Sequence, residues 1–161
     1  MVANKITPTI QEFAKLVQQA YKDKDKRSRK FKLSGNEYNY VKENSNSLWA
    51  WYEDENVILL GIHGANDFRL NIVAIGQFFN PDKVEKEIKG FCQIRDKLLN
   101  TNKSIFIGAH SLGTWIISSC ELEKQSNIEA VMFGLYLPRP DSPKAQIMAS
   151  NVNFKKIFYD N

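Results

Sequence analysis

Ser111 stands where an apolar, strand-like run, Ser104-Ile-Phe-Ile-Gly-Ala-His110, gives way to a second apolar run with helical spacing, Leu112-Gly-Thr-Trp-Ile-Ile. A serine at such a junction could act as the nucleophile of an acyl transfer. Its hydroxyl is unreactive at neutral pH, so the chemistry also needs a histidine to take the proton and a carboxylate to hold that histidine. Strand and helix approach closely on either side of a serine of this kind, which demands small neighbours, and Ala109 and Gly113 supply them. The pattern is Gly-x-Ser-x-Gly with alanine in the place of the first glycine. The competing reading is that the serine is the N-cap of the following helix and nothing more; the strand before it and the helix after it favour the nucleophile.

A tetrahedral intermediate carries an oxyanion, and the backbone N–H of Leu112, directly after the serine, is one donor for it. The second is expected from the loop after the preceding strand, where His63-Gly64-Ala65 lies, and the N–H of Ala65 is the candidate. His63, beside that glycine, reads as a residue that orients the loop rather than as a base. His110 directly precedes Ser111, and adjacent strand residues project to different sides, so it reads as a packed flank. Asp160, near the end of the last expected strand, is the candidate acid, with Asp141 the less favoured substitute. The chain holds two histidines, and neither follows Ser111.

The elements that must position these groups alternate between strands and helices. Thr9-Ile-Gln-Glu12 has capping-box spacing, and the apolar residues from Ile10 to Tyr21 recur at helical intervals, which predicts an amphipathic helix over about 8–21. Tyr38–Val41 and Leu48–Tyr52, joined by the turn-rich Glu43–Ser47, read as a hairpin with Trp49 and Trp51 on one face. Val57–Ile62 and Ser104–Ala109 are continuously apolar, as strands covered on both sides are. Asn80-Pro81 opens a helix to Leu99, Leu112 to about Lys124 reads as another, and Ala130–Leu135 and Phe154–Tyr159 as further strands, with a short helix near 145–149. The expected fold is therefore an α/β class domain spanning 1–161, with a mainly parallel central sheet, helices on both faces and an initial β-hairpin at one edge. In such a sheet, sites gather at the carboxyl ends of the strands. His63–Asp67, Ala109–Gly113 and Tyr159–Asn161 all fall there.

At 161 residues and 43% hydrophobic content the chain is sized for one soluble domain. It lacks the apolar stretches of a signal peptide or membrane span, so it is expected in the cytoplasm and not as an integral membrane protein. Cys92 and Cys120 lie in apolar helical patterns and read as buried thiols, and no metal site or cofactor is expected. The net charge of +4 is concentrated in Lys22–Lys32. That run is expected to be a solvated connection; an anionic partner is the competing reading, and nucleic acid is disfavoured because interleaved aromatics are missing.

Taken in order, these segments resemble the α/β-hydrolase fold, and most of all the class 3, fungal-type triacylglycerol lipases. Ile62-His63-Gly64-Ala65 is similar to that family's Phe-Arg-Gly-Thr/Ser, and Asp67–Asn71 to its Asp-Trp-x-x-Asn. Ile107–Gly113 is similar to its Gly-His-Ser-Leu-Gly-Gly, Phe133-Gly134 with Leu137–Asp141 to its Phe-Gly-x-Pro-Arg-x-Gly, and Lys156–Asn161 to the strand leading to its acid. The resemblance, from about Tyr38 onward, implies a carboxylester or lipid substrate, Ser111 as nucleophile, Leu112 and Ala65 as oxyanion donors, and a lid over 68–79. That stretch also reads as core or as a surface for a protein partner. The family's histidine lies beyond its acid, where this chain has no counterpart. The expectation is thus a lipase-like scaffold that is incomplete as this chain; the alternative is a catalytically inactive hydrolase-like binding or structural protein.

Overall fold

The structure is a computed structural model, and it describes residues 6–63, 81–110, 113, 117, 122, 126–133 and 154–157. The helix α1 spans Ile10–Tyr21 and starts on the capping box read from the sequence: the Thr9 hydroxyl accepts the Glu12 N–H at 3.2 Å, and the Glu12 carboxylate accepts the Thr9 N–H at 3.0 Å. Glu12 also accepts the Ser34 N–H at 2.9 Å, which ties α1 to the first hairpin. Phe13, Leu16, Val17 and Ala20 form its buried face.

Among the described residues seven strands follow: β1 Lys30–Leu33, β2 Asn36–Tyr40, β3 Trp49–Glu53, β4 Val57–Ile62, β5 Ser104–His110, β6 Ile128–Phe133 and β7 Phe154–Ile157. They lie side by side in the order of the sequence. The first three pairings are antiparallel and the last three parallel. A second helix, α2, spans Pro81–Leu99.

The mainly parallel sheet expected from the sequence is therefore corrected. The sheet is mixed, half of its pairings are antiparallel, and among the described residues it carries two α-helices. The reason is local. A parallel pair needs a crossover of a dozen residues or more, whereas β3 and β4 are separated only by Asp54, Glu55 and Asn56, and β1 and β2 by Ser34 and Gly35. Ser34 and Gly35 have φ of 52° and 82°, the left-handed pair of a tight hairpin turn.

A second correction concerns the basic run. Its last residues form β1, in which Lys30 and Lys32 face solvent while Phe31 and Leu33 are buried. Arg27, in its middle, is only 5% exposed.

One core lies on each face of the sheet. On one, α1 packs over Tyr38, Tyr52, Leu59, Phe106 and Val131; on the other, Phe91, Ile94 and Leu98 of α2 pack over Trp49, Trp51, Leu60, Ile62, Ile105 and Ile107. Gly61 and Gly108 are paired neighbours on β4 and β5 and open a bare patch under α1. A Cβ on Gly61 would stand 2.1 Å from the Leu16 carbonyl oxygen, and one on Gly108 2.6 Å from that of Phe13. The helix backbone thus rests on the sheet backbone itself. The expected segments 68–79, 112–124 apart from 113, 117 and 122, the proline-rich loop and the short helix near 145–149 lie outside the described residues.

Candidate functional site

The three segments singled out for chemistry follow β4, β5 and β7, and the register puts the ends of those strands at one edge. Ile62, Ala109, Met132 and Lys156 form a single row of paired Cα positions across β4 to β7. From β5 to β7 is two inter-strand steps, about 10 Å, which two side chains with an imidazole between them can span. Ser111, Leu112, Gly64, Ala65 and Asp160 themselves lie outside the described residues, as does Asp141. Gly113 is helical and buried. A Cβ there would meet the Ile62 carbonyl oxygen at 2.9 Å, so the chain passes from the end of β5 into helical geometry hard against the end of β4.

Both histidines are described, and both sit at this edge on the α1 face. His63 is 1% exposed. Its backbone N–H donates to the Leu48 carbonyl at 2.9 Å, and its Nε2 lies 2.5 Å from the Ser47 carbonyl oxygen. A carbonyl can only accept, so Nε2 carries the proton and, in the neutral ring, Nδ1 carries the lone pair; this tautomer is assigned from the partner. His110, half-buried at the end of β5, is bonded through Nδ1 to the Tyr21 hydroxyl. Burial, and after it the charge of His63, hold the His110 imidazole below its ordinary pKa of 6.5, so it is neutral at pH 7. A phenol donating to Nδ1 would leave the proton on Nε2, which then could not act as a base; a phenol accepting from Nδ1 would reverse this.

Tyr21 is the residue that sequence reasoning missed. It read there as the last apolar position of a helix, but it is 40% exposed and joins the two histidines. Its ring lies 4.6 Å from that of His63 and 5.7 Å from that of His110, centroid to centroid. The only signal for it was its place at the end of α1, and its role depends on the close approach of α1 over Gly61 and Gly108.

The Ser47 carbonyl that holds His63 also accepts from Arg27 Nη2 at 3.4 Å. Arg27 donates further to the carbonyls of Ala20 and Trp49, each at 3.0 Å, to that of Lys22 at 3.2 Å and to the Tyr40 hydroxyl at 3.0 Å. One buried cation therefore fixes the end of α1, the start of β3 and the loop that seats His63. Among the described residues no three metal-ligating side chains converge.

Comparisons with models of protein families, with curated proteins and with solved structures find no match.

Proposed function

We propose that this chain is a lipase- or esterase-like serine hydrolase scaffold for carboxylic esters, with Ser111 as the nucleophile. What supports the reading is the junction after β5: the strand runs through His110, the next residue is the serine, and by Gly113 the chain is helical and in contact with the end of β4. A Cβ at position 113 would clash with the Ile62 carbonyl, and a glycine two residues after the serine is what the nucleophile-elbow pattern calls for. The reading rests on this local arrangement and on the motif, not on the mixed sheet as a whole.

In the proposed reaction the Ser111 oxygen attacks the ester carbonyl, and the N–H groups of Leu112 and Ala65 stabilise the oxyanion. The alcohol leaves and water then hydrolyses the acyl-serine. Asp160, beyond β7, would orient the imidazole that carries the proton. The reading requires an imidazole as proton acceptor, so turnover depends on that base. A triad lacking one member loses most of its rate, about 10⁴-fold or more.

A second reading, a hydrolase-like protein without catalytic activity, is favoured by the commitments of the two histidines. Nε2 of His63 is held by a backbone carbonyl, and Nδ1 of His110 by Tyr21.

Labelling with a fluorophosphonate, with and without added imidazole as a soluble base, separates the two. The hydrolase reading expects labelling that rises with imidazole and vanishes in Ser111→Ala. Identical labelling of the folded wild type and Ser111→Ala, or none in either, leaves the inactive scaffold.

A further inference from the structure

Next to the histidine edge, on the side of β1 and β2, a cavity of about 620 Å³ is lined by Lys24, Asp25, Arg27, Arg29, Tyr40 and Lys42. Its size falls within the range of small-molecule sites. Four of the six lining residues are cations and one is a carboxylate. Arg27 supplies a buried charge that no carboxylate among the described residues pairs with: all five of its N–H groups go to neutral oxygens, four of them backbone carbonyls. Burial screens that charge poorly, so the cavity wall stays positive. Lys24, Arg29 and Lys42 make no ion pair among the described residues, whereas their neighbours Lys26, Lys30 and Lys32 are paired with Asp23 or Glu37. Tyr40 adds a neutral donor, because its hydroxyl accepts from Arg27 and keeps its own proton.

We propose that this cavity is a binding site for a phosphate-bearing anion, with Arg27 as its fixed electrostatic wall and Lys24, Arg29, Lys42 and the Tyr40 hydroxyl as the groups that grip the oxygens. Lysines and an arginine that are not committed elsewhere, around a pre-placed cation, are the arrangement that phosphate oxygens match. The Ser47 carbonyl shared by Arg27 and His63 joins the cavity to the edge where Ser111 is proposed to act. Where that hydrolytic reading holds, the substrates are esters with a phosphate group; this extension rests on it, and the binding site does not.

The test measures binding alone, so it stands or falls apart from any esterase result. Inorganic phosphate and glycerol 3-phosphate are titrated calorimetrically, and phosphatidylcholine vesicles with and without phosphatidylglycerol are tested by co-flotation. Each is repeated with Lys24→Glu/Lys42→Glu and with a control of equal charge change outside the cavity, Lys26→Glu/Lys32→Glu. All four lysines are exposed, so the folded state should survive in both variants. The expected result is binding of at least one probe that weakens about tenfold in the cavity variant and less than about twofold in the control. Binding of the soluble phosphates identifies a free ligand, and binding of the acidic vesicles alone identifies a lipid headgroup. Equal weakening in both variants assigns the effect to overall charge and overturns the site, as does failure of every probe to bind the wild type.

Discussion

On one side of β4 the strands are antiparallel and are laced together by many side chains bonded to backbone. On the other they are parallel and, among the described residues, meet mainly through apolar contacts, with Asn127 bonded to the Thr101 and Lys103 carbonyls at their start. In the antiparallel half, Arg27 binds four backbone carbonyls, and Asn46 Oδ1 accepts the N–H groups of Leu48 and Trp49 at 2.8 and 3.0 Å. There too the Ser45 hydroxyl accepts the Trp51 N–H at 2.9 Å, and Tyr52 donates to the Ser28 carbonyl at 2.7 Å. In the parallel half, Leu60, Ile62, Ile105, Ile107, Ile128 and Met132 form one apolar layer, and α1 lies on the glycine pair. The difference shows two ways to fix the same edge. Apolar register sets where β4 and β5 end, and the polar lacing sets how the loop before β3 seats His63.

The comparison breaks most visibly at Gly61. In Gly61→Val the new side chain meets the Leu16 carbonyl, so α1 must lift, and we expect a loss above about 3 kcal/mol in urea unfolding. A loss under about 1 kcal/mol would mean that α1 is not held by close approach. Arg27→Met keeps the apolar stem of the side chain but strips partners from buried carbonyls, and we expect about 2–3 kcal/mol by the same measurement. If the cost is near zero, the lacing is incidental and the two halves are not held differently.

The smallest effect concerns acid. His110 binds its proton more weakly in the folded chain than its ordinary pKa of 6.5, so below pH 6.5 the unfolded chain takes up more protons than the folded one. Its contribution to stability is complete above that pH and is lost as pH falls through the window beneath it. The urea midpoint should therefore drop between pH 7.5 and 5.5, and His110→Gln should flatten part of that slope. His63 and Tyr21, which face His110, are unchanged in that variant.

The parallel half was legible because its signals are local and redundant. Continuous apolar runs mark β4 and β5, Thr9 and Glu12 mark the start of α1, and Pro81 opens α2. The direction of pairing was not legible from those runs, since an apolar strand reads the same in either sheet type; the three-residue connection between β3 and β4 was the available sign. In β1 the alternation Lys-Phe-Lys-Leu, ahead of Ser34-Gly35, was a strand and turn signal masked by the surrounding charge. Arg27 had no local signal at all, because its partners at 20, 22, 40, 47 and 49 come together only after α1 and β3 are placed. For the candidate site, the strand ends beside His63 and His110 were legible, and the bridge from Tyr21 to both histidines was not.

Every described strand of the sheet lies against the described strand before it in sequence, from β1 to β7. A chain emerging residue by residue can therefore extend the sheet at its growing margin, and no strand has to wait for a partner synthesised later or be threaded between two already in place. Ser111 comes after five of the seven described strands in the sequence, so the apolar run before it enters a sheet whose antiparallel half is already available as a template.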